Sequence, residues 1–328
     1  MIEIMSTGAL ATVQDLGRRG ALKWGVGSSG AMDDLALSSG NILLGNAEDA
    51  AAIEIQIFPF QIRFLEDCAF AVTGADCAAT LNGLPLPPWW VQAARAGDLL
   101  HLGVPRPGKW AASRAYLCLA GGIDVAPVLG SRSTQLRGAF GGLEGRALRA
   151  GDRMSAGSAR ANGCTGFGLC PPALAMPLAV DGVPAVRVLP AAEYEAYTQL
   201  SRESLWQQAW KITAQSDRYG FRLQGSPLSP IAPIELRSHG IVPGVIQVPP
   251  GGQPIVQMRD AQPSGGYPKI GTVIEADLWR LGQAPIGSPI RFVETRWDEA
   301  IAAREANACW LAEARRLVGL YRDRKGGR

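Results

Sequence analysis

The chain has 328 residues, of which 47% are hydrophobic, 19% charged and 7% aromatic, a composition that argues against a disordered protein and against a coiled coil. Its formal net charge of +3 arises from basic and acidic residues mixed along the sequence, which argues against a nucleic-acid-binding surface. The length exceeds that of one ordinary domain, so two domains or subdomains are expected.

Short apolar alternations between frequent turn residues predict a mainly β fold. The 40 glycines and 23 prolines leave only short intervals, which favours barrel-like β-structure over a parallel sheet. Asn82 and Gly83 separate two short apolar runs and predict a two-residue hairpin. The sequence RAGD occurs at Arg95 and again at Arg149, and each copy predicts a Gly-Asp turn that leads into a strand. The clearest predicted strands cover residues 53–57, 62–64, 70–72, 116–119, 245–248 and 290–292.

Helices are fewer, and the longest is predicted near the end of the sequence. In chain order the predicted helices cover residues 33–44, 193–200, 204–210 and about 296–321. Gly45 is expected to end the first helix, and Thr295 with Asp298 resembles an N-terminal cap of the last. An apolar stripe along the last helix predicts a core or partner contact: Trp297, Ile301, Ala308, Leu311, Ala314 and Val318.

The segment 156–184 combines glycine, alanine and proline with weak periodicity and is predicted to be a linker. It would separate an N-terminal β-barrel subdomain, residues 1–155, from a C-terminal β subdomain, residues 185–328, that carries the terminal helix. No apolar run has the length of a membrane span, and the start lacks the basic region of a secretory signal. A cytoplasmic protein without a membrane partner is therefore expected.

Cysteine and histidine usage indicates no metal site. The six cysteines contain no Cys-x-x-Cys pair and are expected to be reduced. Only two histidines are present, so a zinc site built from His and Cys is not predicted. His101 alternates within a predicted strand and fits a structural role. His239, between Ser238 and Gly240, is the better candidate for binding.

The stretch QPIVQMRDAQPSGGYPKIG, residues 253–271, is the most informative part of the chain. It predicts a strand that delivers polar groups to a tight glycine turn, where the backbone can approach a ligand. An ordinary hairpin turn with an exposed lysine is the competing interpretation. The candidate catalytic residues here are Asp260, Gln262 and Lys269, and the candidate binding residues are Ser264, Gly265, Gly266 and Tyr267.

Two further polar clusters are candidates. The first, TVQDLGR, offers a hydroxyl, an amide, a carboxylate and a guanidinium, from Thr12, Gln14, Asp15 and Arg18. These groups fit an amide substrate or a phosphate, with Asp15 as a catalytic candidate. A capped loop with an internal Asp15–Arg18 pair is the alternative. The second cluster surrounds Arg132, a candidate phosphate ligand.

Three nucleotide or hydrolase motifs are rejected. Gly25, Gly27 and Gly30 match the spacing of the dinucleotide fingerprint, but the preceding residues are too polar and glycine-broken for a buried strand. The segment from Gly266 to Thr272 lacks the lysine that a P-loop carries before its threonine, and Pro268 interrupts its amides. No Gly-x-Ser-x-Gly motif occurs.

Several long motifs together resemble one known family, the allophanate hydrolase subunit 2-like or biotin-dependent carboxyltransferase-like proteins. The resemblance covers nearly the whole chain. Departures from it occur at Gly251-Gly252, where many relatives have Asp-Gly, and at Pro263-Ser264, where many have Thr-Thr. The motifs that carry it are TVQDLGRRG, SSGAMDDLAL, LAGGIDVAPVLGSRST, GGLEGRALRAGD, SHGIVPGVIQVPPGGQPI and GTVIEADLWRLGQAPIGSPIRF.

The resemblance implies a cyclophilin-like β-barrel architecture in two subdomains and an obligate heteromeric complex. It implies the ATP-dependent 5-oxoprolinase reaction, in which 5-oxo-L-proline, ATP and water give L-glutamate, ADP and phosphate. The implied partners are the B and A subunits of such a complex, the B subunit being of the allophanate hydrolase subunit 1-like type. The implied cofactor is ATP with Mg²⁺, and the chain alone is expected to be inactive.

Two other functions stay open at this point. One is a carboxyltransferase component for an amide- or urea-type substrate. None of the five lysines (23, 109, 211, 269 and 325) lies in a Met-Lys-Met setting, so covalently bound biotin is not expected and a separate biotin carrier would be needed. The other is a regulatory protein that antagonises a kinase inhibitor, as one relative does.

Overall fold

The computed structural model describes residues 1–106, 112–157 and 165–326. By packing, the chain divides into two units, both discontinuous in sequence. Unit 1 comprises Met1–Arg18, Ser29–Ala175 and Ala308–Arg328, and unit 2 comprises Arg19–Ser28 and Met176–Asn307. The predicted ranges differ from these units, because they are continuous and assign the whole terminal helix to the second subdomain. The linker at 156–184 stays a prediction, and its residues 158–164 lie outside the described part.

The described strands of unit 1 form two antiparallel sheets. The first has the order β11-β1-β4-β9-β6-β7, and the second has the order β2-β3-β10-β5-β8. The strands are β1 Ile2–Ser6, β2 Thr12–Gln14, β3 Ala52–Ile55, β4 Phe60–Phe64, β5 Cys68–Gly74, β6 Thr80–Leu81, β7 Leu84–Pro85, β8 Val91–Ala94, β9 Leu99–Leu102, β10 Ala115–Leu119 and β11 Arg153–Met154.

The period-2 pattern of these strands builds the core of unit 1. Phe60, Ile62 and Phe64 of β4 are fully buried, whereas the residues between them are partly exposed. β10 is buried along its whole length because it lies between β3 and β5 and packs on both faces. Its Leu117 joins the core between the sheets, and its Tyr116 packs with the first helix.

That helix, α1 (Asp34–Leu44), confirms the prediction for residues 33–44. Asp33 caps it by accepting a hydrogen bond of 2.8 Å from the Ala36 N–H, and Gly45 ends it in the left-handed conformation. The predicted hairpin at Asn82-Gly83 is confirmed by the pairing of β6 with β7. Both RAGD segments are turns before strands, in which Asp98 and Asp152 accept from the backbone N–H three residues earlier, at 2.7 and 2.8 Å.

Unit 2 contains a closed barrel of seven strands. Its order is β13-β20-β17-β18-β15-β14-β21, and β21 closes the ring by pairing in parallel with β13. The short strand β12 pairs with the start of β13. The strands of unit 2 are β12 Ala179–Val180, β13 Val183–Pro190, β14 Ala209–Ile212, β15 Gly220–Gln224, β16 His239–Gly240, β17 Val245–Gln247, β18 Ile255–Gln257, β19 Ser264–Gly265, β20 Lys269–Val273 and β21 Pro289–Glu294. The mainly β fold with a barrel is thereby confirmed.

Alternation again positions the barrel core. Trp210 and Ile212 of β14 are buried while Lys211 is exposed, and Trp210 packs against Phe292 of β21 with ring centroids 6.3 Å apart. Two short helices pack with the strands of this unit, α3 (Gln199–Gln207) and α4 (Leu278–Gln283), and α2 (Pro172–Ala175) belongs to unit 1. The predicted helix at 204–210 runs too far, because β14 begins at Ala209.

The long terminal helix α5 (Trp297–Gly326) is confirmed, and its predicted stripe is core only in part, while the alternative of a partner contact stays a prediction. Trp297 is 71% and Ile301 45% exposed, whereas Ala303 is buried against Ile274 and Ala276 of unit 2. Val318 and its neighbours pack into unit 1. The helix cap also differs, because Glu299 rather than Asp298 accepts the hydrogen bonds, from the Thr295 hydroxyl at 2.8 Å and the Arg296 N–H at 3.0 Å.

Candidate functional site

Lys269 is the centre of a polar cluster in unit 2. It is the first residue of β20, and its side chain is 12% exposed. Its ammonium Nζ lies 2.6 Å from Nε2 of His239 and 3.4 Å from Oε2 of Glu193. The same carboxylate oxygen also accepts the backbone N–H of Lys269 at 3.1 Å. A lysine held in this way is a fixed point charge rather than a mobile surface group.

A small two-stranded sheet places His239 next to Lys269. β16 and β19 pair so that His239 lies opposite Gly265 and Gly240 opposite Ser264. The predicted tight turn at Ser264–Gly266 is therefore wrong in detail, because Ser264 and Gly265 are extended and paired. The strand predicted before it is confirmed as β18.

The two glycines of this motif are explained by packing against their own chain. A Cβ on Gly265 would lie 2.7 Å from Nε2 of Gln247, and one on Gly266 would lie 3.1 Å from the carbonyl oxygen of Leu236. Gln247 is buried and donates to the Tyr267 carbonyl at 3.4 Å, while its Oε1 accepts from Gln257 at 3.1 Å. The backbone at Gly265 was expected to lie close to a ligand, but in the structure it lies close to the side chain of Gln247. Ligand binding by these glycines stays a prediction.

The remaining candidates of the motif divide into buried and exposed groups. Asp260 is 5% exposed and forms a two-pronged ion pair with the buried Arg218, at 2.8 and 3.1 Å. This pairing binds Asp260 to its own chain, and its catalytic role stays a prediction. Tyr267 is 49% exposed, Ser264 is exposed and Gln262 is half-buried, so all three are open to a ligand.

In unit 1, Asp15 joins the loop after β2 to the loop at residues 131–134. One carboxylate oxygen accepts from the hydroxyls of Ser131 at 2.6 Å and Ser133 at 2.5 Å and from the Gly17 N–H at 2.8 Å. The other accepts from the Arg132 N–H at 2.5 Å. Four donors on one buried carboxylate assign Asp15 to anchoring, and its catalytic role stays a prediction.

The neighbours of Asp15 are also bound to their own chain. Gln14 donates to the Thr12 hydroxyl at 3.0 Å and to the Thr134 carbonyl at 3.2 Å, and both Thr12 and Gln14 are fully buried. Arg18 is 1% exposed, donates to the carbonyls of residues 128 and 133, and lies 4.6 Å from the centre of the Phe140 ring. Arg132 is half-buried and donates to the carbonyl of residue 125 at 2.9 Å. Their predicted ligand contacts stay predictions.

The rejection of a dinucleotide site agrees with the structure around Glu54. The loop from Gly25 to Gly30 follows a short 3₁₀ helix, not a strand. Glu54 is buried in β3, where its Oε2 accepts from the Met32 N–H at 2.8 Å and from the Tyr116 hydroxyl at 2.7 Å. Burial, reinforced by this carboxylate, raises the pKa of Tyr116 well above its usual value. Glu54 therefore fixes the approach to α1 instead of binding a ribose.

Across residues 1–106, 112–157 and 165–326, no three His, Cys, Asp or Glu side chains gather as metal ligands. No helix within these ranges combines the length and the apolar character that crossing a membrane requires.

Sequence reasoning missed Glu193, which contacts Lys269, and the buried Gln247, which packs against Gly265. Glu193 lies before a 3₁₀ turn in a segment that was predicted to be helical, and nothing local distinguishes it. Gln247 could have been identified from the sequence, because it is the polar residue at the end of the otherwise apolar strand Val245–Gln247 and lies at a buried position. Gln257 ends Ile255–Gln257 in the same way, and the two side chains meet.

Comparison with known proteins places the chain among carboxyltransferase domains. A family model described as carboxyltransferase domain, subdomain A and B, matches residues 24–294. The chain is 42% identical to the 5-oxoprolinase C subunit of Escherichia coli (strain K12) over 305 residues, which cover 93% of this chain and 94% of that protein. It is 41% identical to the 5-oxoprolinase C subunit of Haemophilus influenzae over 321 residues, which cover 97% and 99%.

A solved structure has the same fold. The crystal structure of Kluyveromyces lactis urea carboxylase superimposes with a TM-score of 0.86 at 28% sequence identity. The match covers 95% of this chain but 29% of that chain, so it concerns one part of a larger enzyme.

Proposed function

Because the chain belongs to the family of carboxyltransferase domains, subdomains A and B, we propose that it is one component of an ATP-dependent 5-oxoprolinase. The observation that carries the proposal is the 41–42% identity to two proteins named as the C subunit of 5-oxoprolinase, with at least 93% of each chain covered. The complex opens 5-oxo-L-proline to L-glutamate while ATP is hydrolysed to ADP and phosphate.

The chemistry explains why ATP is needed. A lactam is a poor electrophile, and transfer of the ATP γ-phosphoryl group to the lactam oxygen turns that oxygen into a leaving group. Water then adds to the ring carbon, and the carbon–nitrogen bond of the ring breaks to give the free amine and an acyl phosphate. A second water hydrolyses the acyl phosphate, so that phosphate departs and the carboxylate is left. A site for these steps needs fixed donors near the oxygens where negative charge develops. Lys269 is such a donor in this chain.

The proposal includes a B subunit of the allophanate hydrolase subunit 1-like type together with the A subunit of the complex, and it treats the isolated chain as inactive. ATP enters as a substrate with Mg²⁺ as its counter-ion. The described residues do not fit a resident Mg²⁺ site, because no cluster of three carboxylates or other ligands is formed and Asp15 and Asp260 are taken up by their own chain.

The test is co-expression of the chain with candidate B and A subunits, followed by purification of the assembly. The assembly is expected to hydrolyse ATP when 5-oxoproline is added, and the same preparation without this chain is expected to be inactive. A stable assembly whose ATP hydrolysis does not respond to 5-oxoproline would contradict the proposal.

A carboxyltransferase component is the second candidate, favoured by the fold match to K. lactis urea carboxylase. This function requires a biotin carrier protein, and the two candidates therefore differ in biotin dependence. Activity that is blocked by avidin, which sequesters biotin, would favour the carboxyltransferase. Activity that is insensitive to avidin would favour the oxoprolinase.

A further inference from the structure

The hydrogen bonds of His239 fix which of its ring nitrogens carries the proton. Nδ1 lies 2.9 Å from the backbone carbonyl oxygen of Arg237, and a carbonyl can only accept, so Nδ1 carries the hydrogen. Nε2 lies 2.6 Å from the Lys269 ammonium, which can only donate, so Nε2 presents its lone pair. His239 is therefore a neutral imidazole in the Nδ1–H form, and it acts as an acceptor.

Glu193 contacts both the backbone and the side chain of Lys269. Its Oε2 accepts from the backbone N–H at 3.1 Å and faces the ammonium at 3.4 Å. The segment that carries Glu193 is itself joined to β20, because the Ala191 N–H donates to the Ile270 carbonyl at 3.2 Å. The lysine side chain is thus fixed from two sides, by a hydrogen bond to His239 and by an ion pair with Glu193 on a different segment.

The N–H donors and the net charge of the Lys269 cluster limit which kind of ligand it can bind. An ammonium has three N–H donors. One of them is taken by His239, and Glu193 lies at ion-pair distance, so an N–H remains for a ligand oxygen. The Lys269 cation is balanced by the Glu193 anion, and His239 is neutral, so the three side chains sum to zero. A doubly charged phosphate at this donor would face the Glu193 carboxylate at close range. A single carboxylate would meet about half of that repulsion, and a neutral carbonyl would avoid it.

We propose that Glu193 and His239 are positioning residues that hold Lys269 so that a remaining N–H binds a carbonyl or carboxylate oxygen of the lactam, not a phosphate of ATP. This inference rests on the proposed function for the identity of the lactam. The holding of Lys269 by its two acceptors can be tested without that function.

The first experiment measures the tautomer of His239 in the full chain by NMR with ¹⁵N-labelled histidine. The chain has only two histidines, so an H101Q variant leaves His239 as the single signal. We expect a protonated Nδ1 and an unprotonated Nε2, and we expect K269M to lose this preference because the ammonium donor is gone. A dominant Nε2–H form in the parent chain would overturn the arrangement, whether or not any activity is found.

The second experiment measures kcat and KM in the assembled complex, with 5-oxoproline and ATP varied separately. K269M, E193A and H239A are expected to lower kcat/KM for 5-oxoproline by about 10- to 100-fold, the effect of one charge-assisted hydrogen bond, with KM for ATP changed less than about twofold. H239Q is expected to recover most of the loss, because its amide oxygen is a neutral acceptor. A purely structural role for His239 would not give this recovery.

Matched controls lie in the same unit. Lys211 is exposed on the barrel strand β14, and Glu195 is exposed two residues after Glu193, paired with Arg202. K211M and E195Q are expected to behave as the parent complex. A rise in KM for ATP with an unchanged constant for 5-oxoproline would overturn the lactam assignment. E193A and H239A that behave like the controls would overturn the positioning role. A parent complex without any activity would instead count against the proposed function, and the NMR result would still decide whether Lys269 is held as described.

Discussion

Asp15 is the residue at which anchoring and catalysis are most clearly distinguished, because the two roles predict opposite results for the same substitution. In D15A the hydroxyls of Ser131 and Ser133 can turn to other acceptors, but the N–H groups of Gly17 and Arg132 cannot. A fully buried donor left without a partner costs about 1–3 kcal/mol. Both N–H contacts here are only partly buried, so water replaces part of each, and the two together predict a decrease of about 1–3 kcal/mol in the free energy of unfolding.

The assay is urea denaturation of the parent chain and of D15A, combined with hydrogen exchange of the peptides that cover residues 12–18 and 131–134. Both segments are expected to exchange faster in the variant, because the carboxylate that joins them is gone. D124N is the control, since Asp124 is an exposed carboxylate of the same unit. If D15A keeps the parent stability and its exchange pattern while the complex loses all turnover, anchoring is refuted and Asp15 acts chemically.

Two further changes test the close packing and the charge pairing. G265A should cost about 1–3 kcal/mol in unfolding free energy, because its Cβ would lie 2.7 Å from Nε2 of the buried Gln247, whereas G240A on the paired strand meets nothing within 4 Å and should be neutral in the same denaturation series. Hydrogen bonds from Arg146 lower the pKa of Asp152 in the folded chain, so this pair stabilises the fold above the unfolded carboxyl pKa and the contribution fades as the pH falls through the lower folded value. D152N should therefore destabilise the chain at pH 7, and its deficit against the parent should shrink in urea titrations carried out below about pH 4; a constant deficit would contradict the pairing.

The fold was largely readable from the sequence because its signals are local. The cap at Asp33 with the stop at Gly45, the hairpin at Asn82-Gly83 and the two RAGD turns all depend on neighbouring residues. The closure of the barrel by β13 and β21 depends on a pairing across about a hundred residues, and no local pattern encodes it. The outward position of Trp297 on α5 could not be predicted from the sequence either, because periodicity alone does not show which side of a helix packs against the rest of the chain.

The site was readable only in part. The sequence pointed to Lys269 and His239 separately, but their contact depends on the pairing of β16 with β19, which joins segments about 25 residues apart. Glu193 reaches Lys269 over a still longer separation in the chain. Asp15 and Asp260 looked reactive because carboxylates in polar loops often are, and only the structure reveals the donors that occupy them.

The central claim is that this chain helps to couple lactam opening to ATP hydrolysis, and the most direct test is the stoichiometry of the two products. With the purified assembly of all three components and 5-oxoproline, glutamate and ADP should appear in a ratio of about one to one, and the K269M assembly should form both products more slowly at the same ratio. ADP formation that is independent of 5-oxoproline, or the absence of glutamate from an intact assembly, would contradict the claim.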